Sequence, residues 1–467
     1  MKFHIENLGK IKQADIELKD LTIICGPNSS NKTWLSYFIN HSLLTSNNYF
    51  FTLVDHLDDR LKMDLTSLLE DGSVSINLDK YEESFKRAFE LSHDRILERL
   101  PQYFNLSKDT FEKTDVSIDV SNFGYDKSKE VETENRRVRL TKKANSSIVN
   151  IELLQFSNTK IVRSFMNLLV RNSALMSIAN LFVEHSSLKP FSITSERTGC
   201  MVFQPEIDST AIKVKSIFEE MEEFILDEEI PAQLLESLEE VIEGTNSYAG
   251  PVRQNLNTIR NAKRLMLKES VISERYPEVG EALNRVNGGK FTYSNSQLSF
   301  TTDDGSSTLP VTISSSSVKS LFLLDLYIKH IASPGDLLLI DEPELNLHPD
   351  NQRLISRAIA RLVNSGVKVL ITTHSDYLIR EINNSIMLSN EFDEKEAIMQ
   401  SHDFKQSDIL KPTQVSAYMV ENEGNKAVVS EMKVGQLGIN TQIFDCIINS
   451  ANQLQSEIYF NLDDVDE

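Results

Sequence analysis

Apolar and polar residues alternate with a period of two through MKFHIENL and IKQADIELKDLTIIC, which predicts two strands over the first 25 residues with a turn at Gly9 and Lys10. The second run breaks into a small-residue loop, GPNSSNKT at 26–33, and then into a helical pattern, WLSYFINHSLL. From about 45 to 190, helical patterns (YEESFKRAFELSHDRILERL, KIVRSFMNLLVRNSALMSIANLFVEH) mix with β-rich ones (DVSIDVSNFGYD, RRVRLTKK, SSIVNIELL). From about 205 to 285 the pattern is helical, with breaks at Pro231, near 244–251 and at Pro277, and no heptad run is long enough for an extended coiled coil. Strand signals return in GKFTYSNSQLSFTTDDG, a hairpin turning at Asn295 and Ser296. Helix (SVKSLFLLDLYIKHIA), strand (DLLLID), helix (DNQRLISRAIARLVNSG) and strand (KVLITTHS) then alternate, which implies a parallel, largely buried sheet.

Composition adds bounds. The chain has 467 residues, 40% hydrophobic and 25% charged, enough to bury a large core. It opens on an amphipathic strand pattern and contains no run of about 18 apolar residues, so a cytoplasmic protein that does not enter a membrane is expected. Cys25, Cys200 and Cys446 are too scattered for a disulfide framework or a zinc site and read as reduced packing residues. A net charge of −21 repels nucleic acid at long range. Local basic clusters (Arg136, Arg137, Arg139, Lys142, Lys143; Arg253, Arg260, Lys263, Arg264, Lys268) read as solvated or salt-bridged faces, the second pairing with the acidic stretch at 218–243.

The chemistry lies at three motifs. In GPNSSNKT, Gly26 opens a tight turn, and the backbone N–H groups of Pro27-following residues Asn28, Ser29, Ser30 and Asn31 can converge on phosphate oxygens at a helix N-terminus. Lys32 would reach the β- and γ-phosphates, and Thr33 would offer its hydroxyl to magnesium. Asn31 stands where the usual pattern has its second glycine, and Asn tolerates left-handed backbone angles. In LLLIDEPELNLHP, at 337–349, a buried strand delivers Asp341 to hold Mg2+ and Glu342 to polarise the attacking water. In KVLITTHS, His374 could hydrogen-bond the γ-phosphate or that water. The bland alternatives are a glycine turn, an acidic strand cap and a structural histidine.

Together these motifs resemble the ATP-binding-cassette ATPases, and DEPELNLHP with THSD resembles the branch that contains RecF, SMC-like proteins and the overcoming-lysogenization-defect ATPases. The resemblance covers about 1–45 and 310–380. It implies an α/β fold: an ABC-type P-loop ATPase core, a mixed sheet flanked by helices, split by a large β-rich and helical insertion. The corresponding division is an N-terminal core part at 1–45, an inserted mixed region at 46–190, a helical insertion or short arm at 191–290, a C-terminal core part at 291–400 and an extension at 401–467. In this branch a signature segment from one subunit completes the ATP site of another. The matching residues here are Ser315, Ser316 and Lys319, with Ser317 in place of the family's glycine; a serine-rich helix cap is the bland reading. Asn346 and His348 would lie in the loop that crosses the dimer interface, and Gln204 is a candidate for the glutamine loop.

ITSERTG, at 193–199, looks like a motif of bacterial defence members of the branch, the AriA-like and PtuA-like ATPases. That resemblance implies ATP and Mg2+ as cofactors, an ATP-dependent head-to-tail dimer within a higher oligomer, and control of a separate nuclease or toxin effector in antiphage defence. The alternatives are a repair or chromosome-maintenance ATPase acting directly on DNA, and a nucleotide-gated scaffold with little turnover. A self-contained nuclease is disfavoured: about 90 residues follow THSD, and their acids cluster at Asp463, Asp464, Asp466 and Glu467.

Overall fold

The computed structural model describes residues 1–57, 70–118, 124–134, 138–154, 163–182, 188–204, 248–294, 297–440 and 452–459, with single positions at 61, 65, 67, 68 and 450. The stretch at 218–243, Arg136, Arg137, the turn at Asn295 and Ser296, Cys446 and the four terminal acids lie outside these residues.

Strands β1 (Lys2–Leu8) and β2 (Ile11–Glu17) form the expected hairpin, Leu8 opposite Ile11 and Gly9 at φ +58° in the turn. Strand β3 (Leu21–Cys25), buried at every position, runs through the 26–33 loop into helix α1 (Lys32–Leu57). Next come β4 (Ser73–Asn77), helix α2 (Glu82–Phe104), β5 (Asp115–Ile118), the strands β6 (Val131–Glu134), β7 (Val138–Lys142) and β8 (Ile148–Leu153), and helix α3 (Arg163–Phe182). Strand β9 (Lys189–Ile193) and helices α4 (Gly250–Arg260) and α5 (Pro277–Asn287) lead to the predicted hairpin, β10 (Gly289–Ser294) and β11 (Gln297–Thr302), edged by β12 (Thr308–Pro310). The alternating lobe follows as α6 (Ser316–His330), β13 (Asp336–Asp341), α7 (Pro349–Asn364), β14 (Lys368–Thr373) and α8 (Asp376–Met387). Strands β15 (Val415–Glu423) and β16 (Lys426–Met432) come last in the main sheet.

That sheet has nine strands in the order β5-β1-β2-β16-β15-β3-β14-β13-β9; β4, β8, β7 and β6 make a separate four-stranded sheet. The β9, β13, β14, β3 and β15 strands are mutually parallel, and β16, β1 and β5 supply the antiparallel pairings. The result is a mixed α/β sheet flanked by helices. Each central strand feeds two cores. Leu337 and Leu339 point into a core shared with α1, α2, α3 and the four-stranded sheet. Leu338 and Ile340 point into the opposite core, with α5, α6, α7 and α8. Covering on both faces explains why β13 reads as LLLI rather than as an alternating strand.

Two stretches of the sequence take unexpected places. The pair β15 and β16, read only as part of a C-terminal extension, sits in the middle of the sheet, with β15 against β3. Lys142, assigned above to a solvated or salt-bridged face, is 1% exposed and donates to the carbonyls of Asp126, Lys127 and Lys129. A buried ammonium needs compensating acceptors, and here main-chain oxygens provide them. Cys25 and Cys200 are buried free thiols. Among the described residues no helix is long and apolar enough to cross a membrane.

Candidate functional site

Register gathers the motifs. In the parallel ladder Thr373 lies opposite Cys25, Asp341 opposite Thr372, and Ile193 opposite Ile340, so four strands end in one row. Their exits are the 26–33 loop, the acid pair, His374 and ITSERTG. Ligands of open α/β sheets bind outside the carboxyl ends of such strands.

The loop is shaped by residues that adopt positive φ: Gly26 (+150°), Ser29 (+62°) and Asn31 (+68°). A Cβ at position 26 would stand 2.5 Å from the Val420 carbonyl of β15, so glycine is needed for close approach as well as for its angle. Asn31 takes the left-handed conformation that its place in the motif requires. Ser30 Oγ donates to Pro27 O (2.8 Å), tightening the turn, and Asn28 lies within it, exposed. Lys32 Nζ is buried and donates to the carbonyls of Gly26 (2.9 Å) and Pro27 (2.8 Å). Burial pushes its pKa down, against the acids at 342, 341 and 344. Trp34, next to Thr33, packs on Phe104 and Phe111 with ring centroids 5.0 and 5.9 Å away, so it anchors α1 while standing beside the loop.

Asp341 is 2% exposed. Its Oδ1 accepts from the Thr372 hydroxyl at 2.6 Å, whereas its Oδ2 is buried without a hydrogen bond. Burial raises its pKa to about 6, with the Thr372 and Thr33 hydroxyls acting in the other direction. A dry carboxylate oxygen beside a threonine hydroxyl at a loop of N–H groups fits a hard cation that keeps water and phosphate oxygens as its other ligands. Among the described residues no group of three or more His, Cys, Asp or Glu side chains could hold a metal.

Glu342 has φ +49°, a strained angle for a residue with a Cβ. Its N–H donates to Thr372 O (3.0 Å), and Oε1 lies 3.5 Å from His374 Nδ1. The His374 contact holds the Glu342 pKa below the ordinary carboxylate range, and Glu342 raises that of His374. Each favours the charged form of the other. Glu344, a residue the sequence did not single out, fixes the histidine loop: its Oε1 accepts from Thr373 Oγ1 (2.6 Å) and His374 N (3.0 Å). The only signal for it was a carboxylate two residues beyond Glu342.

Ser315 caps α6, accepting from Val318 N (3.3 Å) and pairing with Ser317 Oγ (2.8 Å). Ser315 and Ser316 are exposed and Lys319 is half-buried. Among the described residues no hydrogen bond joins these three to residues 26–33 of the same chain. Asn346, at φ +62°, reaches Thr198 Oγ1 at 3.5 Å, His348 caps α7, and Gln204 is half-buried just after ITSERTG.

Asp341 gives a stability prediction. Its folded pKa of about 6 stands above the ordinary 3.8, so the protonated form favours the folded state. That contribution is complete below about pH 4 and is lost as pH rises through about 6. Asp341→Asn, which removes the buried charge, should therefore stabilise the nucleotide-free protein by up to about 3 kcal/mol at pH 7. Thermal melts should show the gap closing toward pH 4; an unchanged or lowered Tm at pH 7 would contradict it.

A family described as "AAA ATPase domain" matches residues 1–379. No curated protein matches the sequence significantly. Three solved structures are similar at low identity. An Smc head bound to the C-winged helix domain of ScpA aligns with 93% of this chain and 98% of its own at 10% identity, with a TM-score of 0.34. An Smc head with an extended coiled coil, bound to the C-terminal domain of ScpA derived from Pyrococcus furiosus, covers 98% of each chain at 12% identity (TM-score 0.31). The SMC head domain from Thermotoga maritima covers 93% of this chain and 98% of its own at 12% identity (TM-score 0.27).

Proposed function

Since this chain belongs to the AAA ATPase domain family, we propose that it binds ATP with Mg2+ at residues 26–33 and hydrolyses it at an interface between two copies of itself. The observation that carries this reading is the convergence at one sheet edge of the phosphate loop, the orphaned Asp341 Oδ2 and the Glu342–His374 pair. Lys32 binds the β- and γ-phosphates, leaving its two carbonyl partners. Thr33 and Asp341 would hold Mg2+, which when bound would supply positive charge beside the phosphates. Glu342 accepts the proton of the attacking water, and His374 orients that water or the γ-phosphate. Ser315, Ser316 and Lys319 of a second copy close the site, which suits the exposure of Ser315 and Ser316 at the start of α6. Head-to-tail pairing follows from this division, and ATP acts as a population switch by stabilising the closed pair.

Within that frame the protein is a defence ATPase whose cycle controls a separate nuclease or toxin, assembled as a higher oligomer in the cytoplasm. The ITSERTG resemblance and the absence of a long coiled-coil pattern from the sequence support this reading over direct action on DNA. The test has two arms. Magnesium-dependent ATP turnover by the purified chain, read against Glu342→Gln, should exceed that blank while Trp34 fluorescence reports ATP binding by both. Cells carrying the chain with its adjacent reading frames should resist phage, and Lys32→Ala should abolish resistance. Turnover without protection would remove the defence role and leave the ATPase; no turnover would leave a nucleotide-gated scaffold.

A further inference from the structure

ITSERTG connects four parts of the site. Glu196 Oε2 accepts from Tyr37 OH of α1 at 3.2 Å, and Thr198 Oγ1 receives Asn346 Nδ2 from the loop after β13 at 3.5 Å. Arg197 does more. It is 2% exposed, and its guanidinium donates four hydrogen bonds, all to main-chain carbonyls. Nε reaches Ser320 O of α6 (2.9 Å); Nη1 reaches Thr194 O (3.0 Å) and Asp341 O (2.7 Å); Nη2 reaches Glu342 O (2.7 Å).

A single rigid, planar fork therefore spans β9's exit, the acid pair and the helix that begins at Ser316. Its two shortest bonds hold the peptide units on either side of the strained Glu342 angle. A buried cation is expensive to desolvate, and here four carbonyls and the nearby acids Asp341, Glu344, Glu342 and Glu196 compensate it. What the cation adds is direction: the Ser320 carbonyl cannot shift by an ångström without losing its bond or moving the carbonyls of Asp341 and Glu342.

We propose that Arg197 is a positioning residue that couples α6, and with it the signature segment, to the backbone presenting Asp341 and Glu342 in the same chain. This rests on the ATPase reading above. It adds that a second copy engaging Ser315 at α6's start is sensed by the engaged chain's own acid pair, so neighbouring sites communicate through one side chain.

Steady-state ATP turnover of the full chain tests this with Arg197→Lys, Ser315→Ala and the double variant. Lysine keeps the charge but gathers its three donors on one nitrogen, without the rigid fork that spreads four bonds over three nitrogens in fixed directions. Arg197→Lys should lower kcat at least tenfold while leaving KM for ATP within about threefold and the Trp34 response intact. The double variant should be no more than about twofold slower than the slower single, because both changes cut one coupling. Penalties that multiply, or a KM change with kcat intact, would overturn the proposal. Should Arg197→Lys melt out, hydrogen exchange on the wild-type chain decides, at a dilution where it is monomeric by mass. ATP with Mg2+ should slow exchange at 316–322 and at 338–344 together; a change confined to 338–344 would refute the coupling. A wild-type chain without any Trp34 response to ATP would instead sink the ATP-binding reading itself.

Discussion

Glu342→Gln should lower ATP turnover by at least 100-fold while leaving ATP affinity within about threefold of wild type, in line with the usual 10²- to 10⁴-fold contribution of a positioned general base. The reasons are local. Glu342 sits at the end of β13 with its side chain partly exposed, so the isosteric amide neither empties a cavity nor buries an unpaired group. What changes is chemistry: the amide cannot take a proton from water, and His374 loses the carboxylate that raises its pKa. The His374 titration should therefore move toward lower pH, visible by NMR in the nucleotide-free protein. With hydrolysis stopped, ATP remains bound and the closed pair persists, so native mass should shift to a larger species on adding ATP. Turnover within threefold of wild type would exclude Glu342 as the base.

Lys32→Ala should fail one step earlier, with ATP affinity falling by roughly 100-fold or more, the scale of the 2–5 kcal/mol lost when one partner of a buried charge pair is truncated. Lys32 is 6% exposed and already dehydrated, so its ammonium can exchange two carbonyl bonds for phosphate contacts at little further desolvation cost. Calorimetric titration of ATP, with Trp34 fluorescence as a second readout, measures the loss. No ATP-dependent mass shift should follow. The two variants thus separate binding from hydrolysis: one loses the nucleotide, the other keeps it. Equal affinity and equal mass in wild type and both variants would refute that division.

How far the sequence was legible follows from how local each signal was. The phosphate loop, the acid pair and His374 each lie at the end of an apolar run, and parallel register then places them in one row; alternation of helix and strand was enough to anticipate that. Asn31 was legible for the same reason, since its left-handed angle is a property of one residue. Other parts depend on partners distant in the chain. Glu344 acts through Thr373 and His374, about 30 residues on, and Arg197 through carbonyls of residues 320, 341 and 342, which have no side-chain signature. Lys142 looked like one member of a basic cluster because its three acceptors are main-chain oxygens. Ser315 is a helix cap within its own chain, and a cap is also what a phosphate-contacting serine at a helix start would be.

The central position of β15 has a consequence for biosynthesis. β3 is bonded on one side by β14 and on the other by β15, residues 368–373 and 415–419, so the strand that carries the phosphate loop has neither neighbour until most of the chain exists. At about 5–20 residues per second, roughly 20–80 s of translation separate β3 from β15. During that interval LTIIC is an apolar strand with both edges bare, the kind of segment that recruits holdase chaperones or mispairs between nascent chains. Contacts this distant in sequence also make for slow closure of the sheet. The proposed nucleotide site therefore matures at the end of folding, and a nascent chain interrupted before β15 would expose the strand on which that site depends.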